Sequence, residues 1–101
     1  MTIDQLEQKI IEAIKKDPHQ KDIKKVSLFG SHIYGNPKKD SDVDVLVEFK
    51  PNAPIGLFEF VQIQRRLSEL IGKKIDLLTP SALSKYFRDE VLSKAKTIYE
   101  Q

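Results

Sequence analysis

The stretch Asp42-Val-Asp-Val-Leu-Val-Glu-Phe49 restricts the possible folds more than any other part of the chain. Side chains alternate sides along a strand, and β-branched and aromatic residues favour one, so Val43, Val45, Val47 and Phe49 share one face. Asp42, Asp44, Leu46 and Glu48 share the other. The first face belongs to a core, and the second begins with two acids.

On either side of this strand the chain alternates helix and strand. Thr2 and Gln5 form a capping-box pattern, and Ile3, Leu6, Ile10 and Ile14 recur at helical spacing until Asp17-Pro18 ends the run. Lys25–Phe29 reads as a strand stopping at Gly30, followed by a short turn or helix, GSHIYG, and a polar loop, NPKKDS. After the linker KPNAPIG, Leu57, Phe60, Ile63, Leu67 and Leu70 predict an amphipathic helix closed by Gly72. Lys73–Thr79 is a third strand. Thr79 then caps a helix with Pro80 in its first turn, and Leu83, Phe87, Val91, Ala95 and Ile98 continue it at helical spacing. The order α-β-α-β-α-β-α predicts an α/β (α+β) fold, a small mixed β-sheet with flanking helices.

A chain of 101 residues makes one domain, residues 1–101. A domain of this size buries only about 60–65 % of its unfolded surface, so any site should be a shallow cleft. Seventeen Lys and Arg against fifteen Asp and Glu give a net charge of +2, too little for a polycationic nucleic-acid binder. The basic pairs Lys15-Lys16, Lys24-Lys25, Lys38-Lys39, Arg65-Arg66 and Lys73-Lys74 read as solvated charges at element ends. The absence of cysteine removes disulfides, thiolate nucleophiles and cysteine-based zinc sites. With two histidines, a zinc enzyme would need carboxylates for most of its ligands. No apolar run approaches the ~20 residues of a membrane helix, and the polar N-terminus lacks a signal-peptide core, so a cytoplasmic location is expected.

The chemistry concentrates between Gly30 and Asp76. Asp42 and Asp44 project from one strand face with Cα atoms about 6.5 Å apart, close enough to reach one or two hard cations. Such a pair is common by itself, but here Gly30-Ser31 directly follows a strand. Backbone N–H groups at a strand-to-helix turn receive phosphate oxygens, and glycine admits a phosphate close to the backbone. Gly30-Ser31 followed by Ser41-Asp42-x-Asp44 can therefore hold a triphosphate at one end and its metal ions at the other. Asp76 lies inside the next strand, where an acid either faces solvent on an edge or binds a metal. If its strand neighbours that of Asp42, three carboxylates converge. Three acids facing a triphosphate require divalent cations, which argues for two Mg²⁺ ions.

The run LFGSHIYGNPKKDSDVDVLVEF, followed by GKKIDLLTP, resembles the minimal nucleotidyltransferases of the DNA polymerase beta-like superfamily, the small partners of HEPN-domain toxins in toxin–antitoxin pairs. The resemblance spans nearly the whole chain and implies the polymerase beta-like nucleotidyltransferase fold. It implies that Gly30, Ser31 and Ser41 bind the phosphates of ATP, that Asp42 and Asp44 coordinate both Mg²⁺ ions, and that Asp76 ligates the acceptor-side ion and helps deprotonate the acceptor. The implied reaction moves AMP from ATP to a tyrosine hydroxyl of a HEPN ribonuclease toxin. The chain would be that toxin's antitoxin, in a hetero-oligomer. Many members carry arginines in the G-S-x-x-x-G turn where this chain has His32 and Tyr34, leaving Lys38, Lys39 or Lys73 as candidates to supply the charge. A chain this short must receive its acceptor from a partner, with Phe58, Tyr86 and the last helix either contacting that partner or filling the core. The competing reading is an inactive module that neutralises the toxin by occlusion alone. Transfer to an RNA 3′ end fits the superfamily, but without a strong basic face nucleic acid is not expected as the main partner.

Overall fold

A computed structural model of the chain describes residues 2–30 and 42–101. Helix α1 (Ile3–Lys16) starts where the capping pattern placed it: Gln5 N–H donates to Thr2 Oγ1 at 3.1 Å, and Thr2 N–H donates to Gln5 Oε1 at 2.8 Å. Strands β1 (Ile23–Phe29) and β2 (Val43–Phe49) pair antiparallel, and helix α2 (Leu57–Ile71) leads to β3 (Ile75–Leu78). A parallel neighbour needs a crossover, and α2 provides it. Gly72 ends α2 in the left-handed region at φ +77°, with its N–H on Ser68 O. Beyond it come a 3₁₀ turn (Pro80–Ala82), helix α3 (Arg88–Lys94) and strand β4 (Lys96–Glu100). The four-stranded mixed sheet has the order β3-β2-β1-β4.

Both long helices cover one face of this sheet. Leu6, Ile10, Ala13 and Ile14 of α1 and Ile63, Leu67 and Ile71 of α2 form a single core with Val26, Leu28, Val43, Val45, Val47, Ile75 and Leu77. The alternation in β2 holds as expected, and Leu46, on the opposite face, is also buried but stands apart from that core. The buried stripe of α2 is rotated from the expected one. Ile71 replaces Leu70, and Leu57 and Leu70 are exposed.

The C-terminal region departs from the expected continuous helix. Only Arg88–Lys94 is helical, Ala95 is extended, and Lys96–Glu100 pairs antiparallel with β1. Without β4 the outer edge of β1 would keep its N–H and C=O groups unpaired, and Thr97, Ile98 and Tyr99 are good strand formers. Ile98 and Tyr99 pack against the core from this strand. The expected short element between β1 and β2 lies outside the described residues.

Two ion pairs tie these elements together. Asp17, just past α1, is buried, and its carboxylate accepts a two-pronged contact from Arg66 of α2, Nε to Oδ2 at 2.9 Å and Nη2 to Oδ1 at 3.2 Å. His19 N–H donates to the same carboxylate at 2.9 Å. Arg66 is thus a structural residue rather than one of a solvated pair. At the other edge, Lys96 of β4 meets Glu7 of α1 at 2.6 Å, and this hydrogen bond, with Glu7's charge, raises the lysine's pKa. That contribution is complete below the ordinary lysine value and is lost only as pH rises through the elevated one.

The two ends of the Asp17–Arg66 pair differ in access to water, the Asp17 side chain being 1 % exposed and that of Arg66 33 %. Arg66→Met strands a buried charge and should cost about 3 kcal/mol, a fall of roughly 12–24 °C in Tm for a domain of this size. Asp17→Asn keeps an acceptor for His19 and leaves a guanidinium that water reaches, so it should cost only about 1 kcal/mol. Thermal melts of the two variants check this, and equal losses would contradict the asymmetry.

Candidate active site

The site follows from β2 and its two neighbours. Because Val43 and Val45 point into the core, Asp44 projects from the sheet face opposite the two long helices. The parallel register sets Val43 beside Ile75 and Asp44 beside Asp76, so the two acids are cross-strand partners on that face. Strands pair at about 4.8 Å, which makes this a close approach of like charges. Asp42 lies two residues earlier on the same side. Asp42 and Asp44 are partly buried and Asp76 is exposed, a shallow acidic surface among the described residues.

Side chains of α2 hold Asp76 in place. Strand β3 is an edge, and its outward N–H groups would otherwise be unpaired. Ile75 N–H donates to Ser68 Oγ at 3.1 Å, and Leu77 N–H donates to Gln64 Oε1 at 3.0 Å. These contacts bracket Asp76. Sequence reasoning did not find Ser68 and Gln64, although their i, i+4 spacing beside the apolar stripe of α2 was a visible signal. On the β2 side, Val43 N–H donates to Lys74 O at 3.0 Å, which starts the parallel pairing.

Gly30 closes the arrangement from β1. Phe29 is paired with Asp44, and the next residue turns at φ +85°. A Cβ at this position would overlap Asp44 Oδ2 and lie 3.0 Å from its Cγ. Glycine is therefore required twice over, by its backbone angle and by the acid beside it.

The donors are all carboxylate oxygens, which suit a hard cation such as Mg²⁺. Among the described residues, no three His, Asp or Glu side chains are already drawn together at metal-ligating spacing. Asp42 instead meets Lys74, with Nζ 3.6 Å from Oδ2. The expected phosphate-binding residues Ser31 and Ser41 lie outside the described residues, as do His32, Tyr34, Lys38 and Lys39. Phe58 and Tyr86, which could have been core, are 70 % and 82 % exposed.

Gly30→Ala should cost about 2 kcal/mol, part from the left-handed backbone and part from the overlap with Asp44. In an Asp44→Ala background the overlap is relieved and the cost should fall to about 1 kcal/mol. Urea unfolding of the four proteins in this cycle measures the difference. The same cost in both backgrounds would show that Asp44 does not select the glycine.

A family model for the polymerase beta nucleotidyltransferase domain matches residues 8–101. Protein adenylyltransferase MntA of Thermococcus cleftensis is 33 % identical over 93 residues, covering 91 % of this chain and 91 % of the relative. A Methanocaldococcus jannaschii protein described as a candidate protein adenylyltransferase is 33 % identical over 95 residues, covering 94 % of this chain and 96 % of its own. A solved structure described as a candidate minimal nucleotidyltransferase superposes with a TM-score of 0.75 at 27 % identity, over 94 % of both chains. A toxin–antitoxin crystal structure with AMP-PNP shares the fold, with a TM-score of 0.73 at 21 % identity over 94 % of this chain and 73 % of that one. The acid-bearing strands, the glycine beside them and these likenesses together show that the chain belongs to the polymerase beta nucleotidyltransferase family, as a nucleotidyltransferase of the minimal kind.

Proposed function

We propose that this nucleotidyltransferase transfers AMP from ATP to a tyrosine hydroxyl of a HEPN ribonuclease toxin and thereby acts as its antitoxin. The observation that carries this reading is the register of Asp44 with Asp76 on the sheet face opposite the helices, with Asp42 two residues before and Gly30 against Asp44. Support comes from relatives named protein adenylyltransferase and from toxin–antitoxin structures of the same fold, one pairing MntA with HepT and one containing AMP-PNP. The exposure of Asp76 suits an acceptor delivered by a large partner.

The roles follow from position. Asp42 and Asp44 would hold Mg²⁺, with Asp76 completing the set on the acceptor side. When bound, such ions neutralise the triphosphate and stabilise the charge that develops on the attacking and leaving oxygens. Gly30, just past β1, and Ser31, next in sequence, would receive the phosphates on backbone N–H groups and a hydroxyl, with Ser41 at the start of the acid motif. Asp76, the exposed member of the three, stands where an incoming hydroxyl can reach it and would accept its proton. The hydroxyl oxygen then bonds to the α-phosphorus, and the bond to the β-phosphate oxygen breaks to release pyrophosphate. Positioning and charge neutralisation supply most of the rate.

The test incubates the protein with α-labelled ATP, Mg²⁺ and the proposed HEPN-type partner. Label should appear on a partner tyrosine, and Asp42→Asn or Asp76→Asn should lower its rate by about 100-fold or more. Omitting the divalent cation should abolish labelling in the parent protein. Toxin that is inhibited but never labelled would overturn transfer and establish neutralisation by occlusion.

A further inference from the structure

Among the described residues, Lys74 brings a positive charge to Asp42 from outside the acid motif. Its Nζ lies 3.6 Å from Asp42 Oδ2, with the lysine side chain 79 % exposed and that of Asp42 43 % exposed. The attachment point is firm, because Lys74 O accepts from Val43 N–H and the adjoining Ile75 N–H is held by Ser68 Oγ. The side chain is not, being a four-carbon stem in solvent with a compact ammonium at its tip. Sequence analysis offers Lys73 as a source of charge and reads Lys74 only as a solvated member of the pair Lys73-Lys74, yet of these two it is Lys74 that meets Asp42.

An ammonium beside Asp42 offsets the repulsion it feels from the neighbouring acids when no cation is there. A divalent cation arriving at Asp42 repels that ammonium, and the triphosphate that accompanies the cation offers it a new anionic partner. We propose that Lys74 is a positioning residue that pairs with Asp42 in the cation-free protein and turns to the triphosphate as cations enter, so that metal and nucleotide load together. This inference rests on the reading of Asp42 as a metal ligand. It assigns to Lys74 charge that the G-S-x-x-x-G turn of this chain lacks, since no arginine stands there.

The measurement is Mn²⁺ binding by electron paramagnetic resonance, on the whole chain, with and without a non-hydrolysable ATP analogue. Without nucleotide, Lys74→Gln should bind Mn²⁺ about two- to fivefold more tightly than the parent, the range that exposed ion pairs span. At saturating Mn²⁺ the same variant should bind the analogue more weakly by a similar factor, and both differences should shrink in high salt. Lys74→Arg should behave like the parent. Lys24→Gln, which removes an exposed charge elsewhere, should move neither constant. If Lys74→Gln matches the parent in both, or if Lys24→Gln shifts them equally, the proposal is overturned while the metal assignment stands. A parent that binds no Mn²⁺ even with the analogue would remove the metal role of Asp42 and this proposal with it.

Discussion

The parallel pairing of β2 with β3 is the constraint on which the rest of the structure depends. It sets Asp44 beside Asp76, and every other feature of the acidic face is arranged around that register. A slip of one residue would turn Asp76 into the core and Ile75 or Leu77 out of it. The register is therefore held by burial as much as by hydrogen bonds. Val43, Val45, Ile75 and Leu77 are each almost fully buried in the core that includes α1 and α2, and a one-residue shift would expose them. The hydrophobic face of the sheet thus positions the charged one.

Holding two carboxylates side by side opposes folding, and the neighbouring elements offset that cost. Ser68 and Gln64 satisfy the outward N–H groups of β3, so the strand at the sheet's edge keeps its line without a further partner strand. Asp17 and Arg66 lock the end of α1 to α2, the helix that provides those two side chains. Lys74 places a positive charge on Asp42. Gly30 spares Asp44 a Cβ that would push it aside. Each device lies within a residue or two of the acids or on a helix that braces them, which is where a small domain can afford rigidity.

Much of this was legible in the chain because it depends on local rules. The Thr2–Gln5 capping box, the end of α1 before Pro18, the alternation of β2 and the glycine stop of α2 are each written within a few neighbouring residues, and each is found as read. The spacing of Asp42 and Asp44 placed both on one face for the same reason. The last region was misread because Leu83, Phe87, Val91, Ala95 and Ile98 satisfy a helical period by spacing alone. Whether Ile98 belongs to a helix or a strand depends on the open edge of β1, some 70 residues away in sequence. Phe58 and Tyr86 could not be placed either, since an aromatic at helical spacing looks the same whether it faces a core or solvent.

The sequence by itself determined the alternation that separates an apolar sheet face from an acidic one, the residue types able to hold a hard cation and a phosphate, and the membership those motifs announce. These are properties of consecutive residues, whose side-chain directions follow from backbone geometry. Tertiary structure alone decided that Asp76 is the cross-strand partner of Asp44, that Lys74 rather than Lys73 meets Asp42, and that Gly30 stands against Asp44. It alone joined Arg66 to Asp17 and gave the C-terminal residues to the sheet. Those facts concern residues brought together by packing, and packing is set by the burial of apolar surface from the whole chain at once.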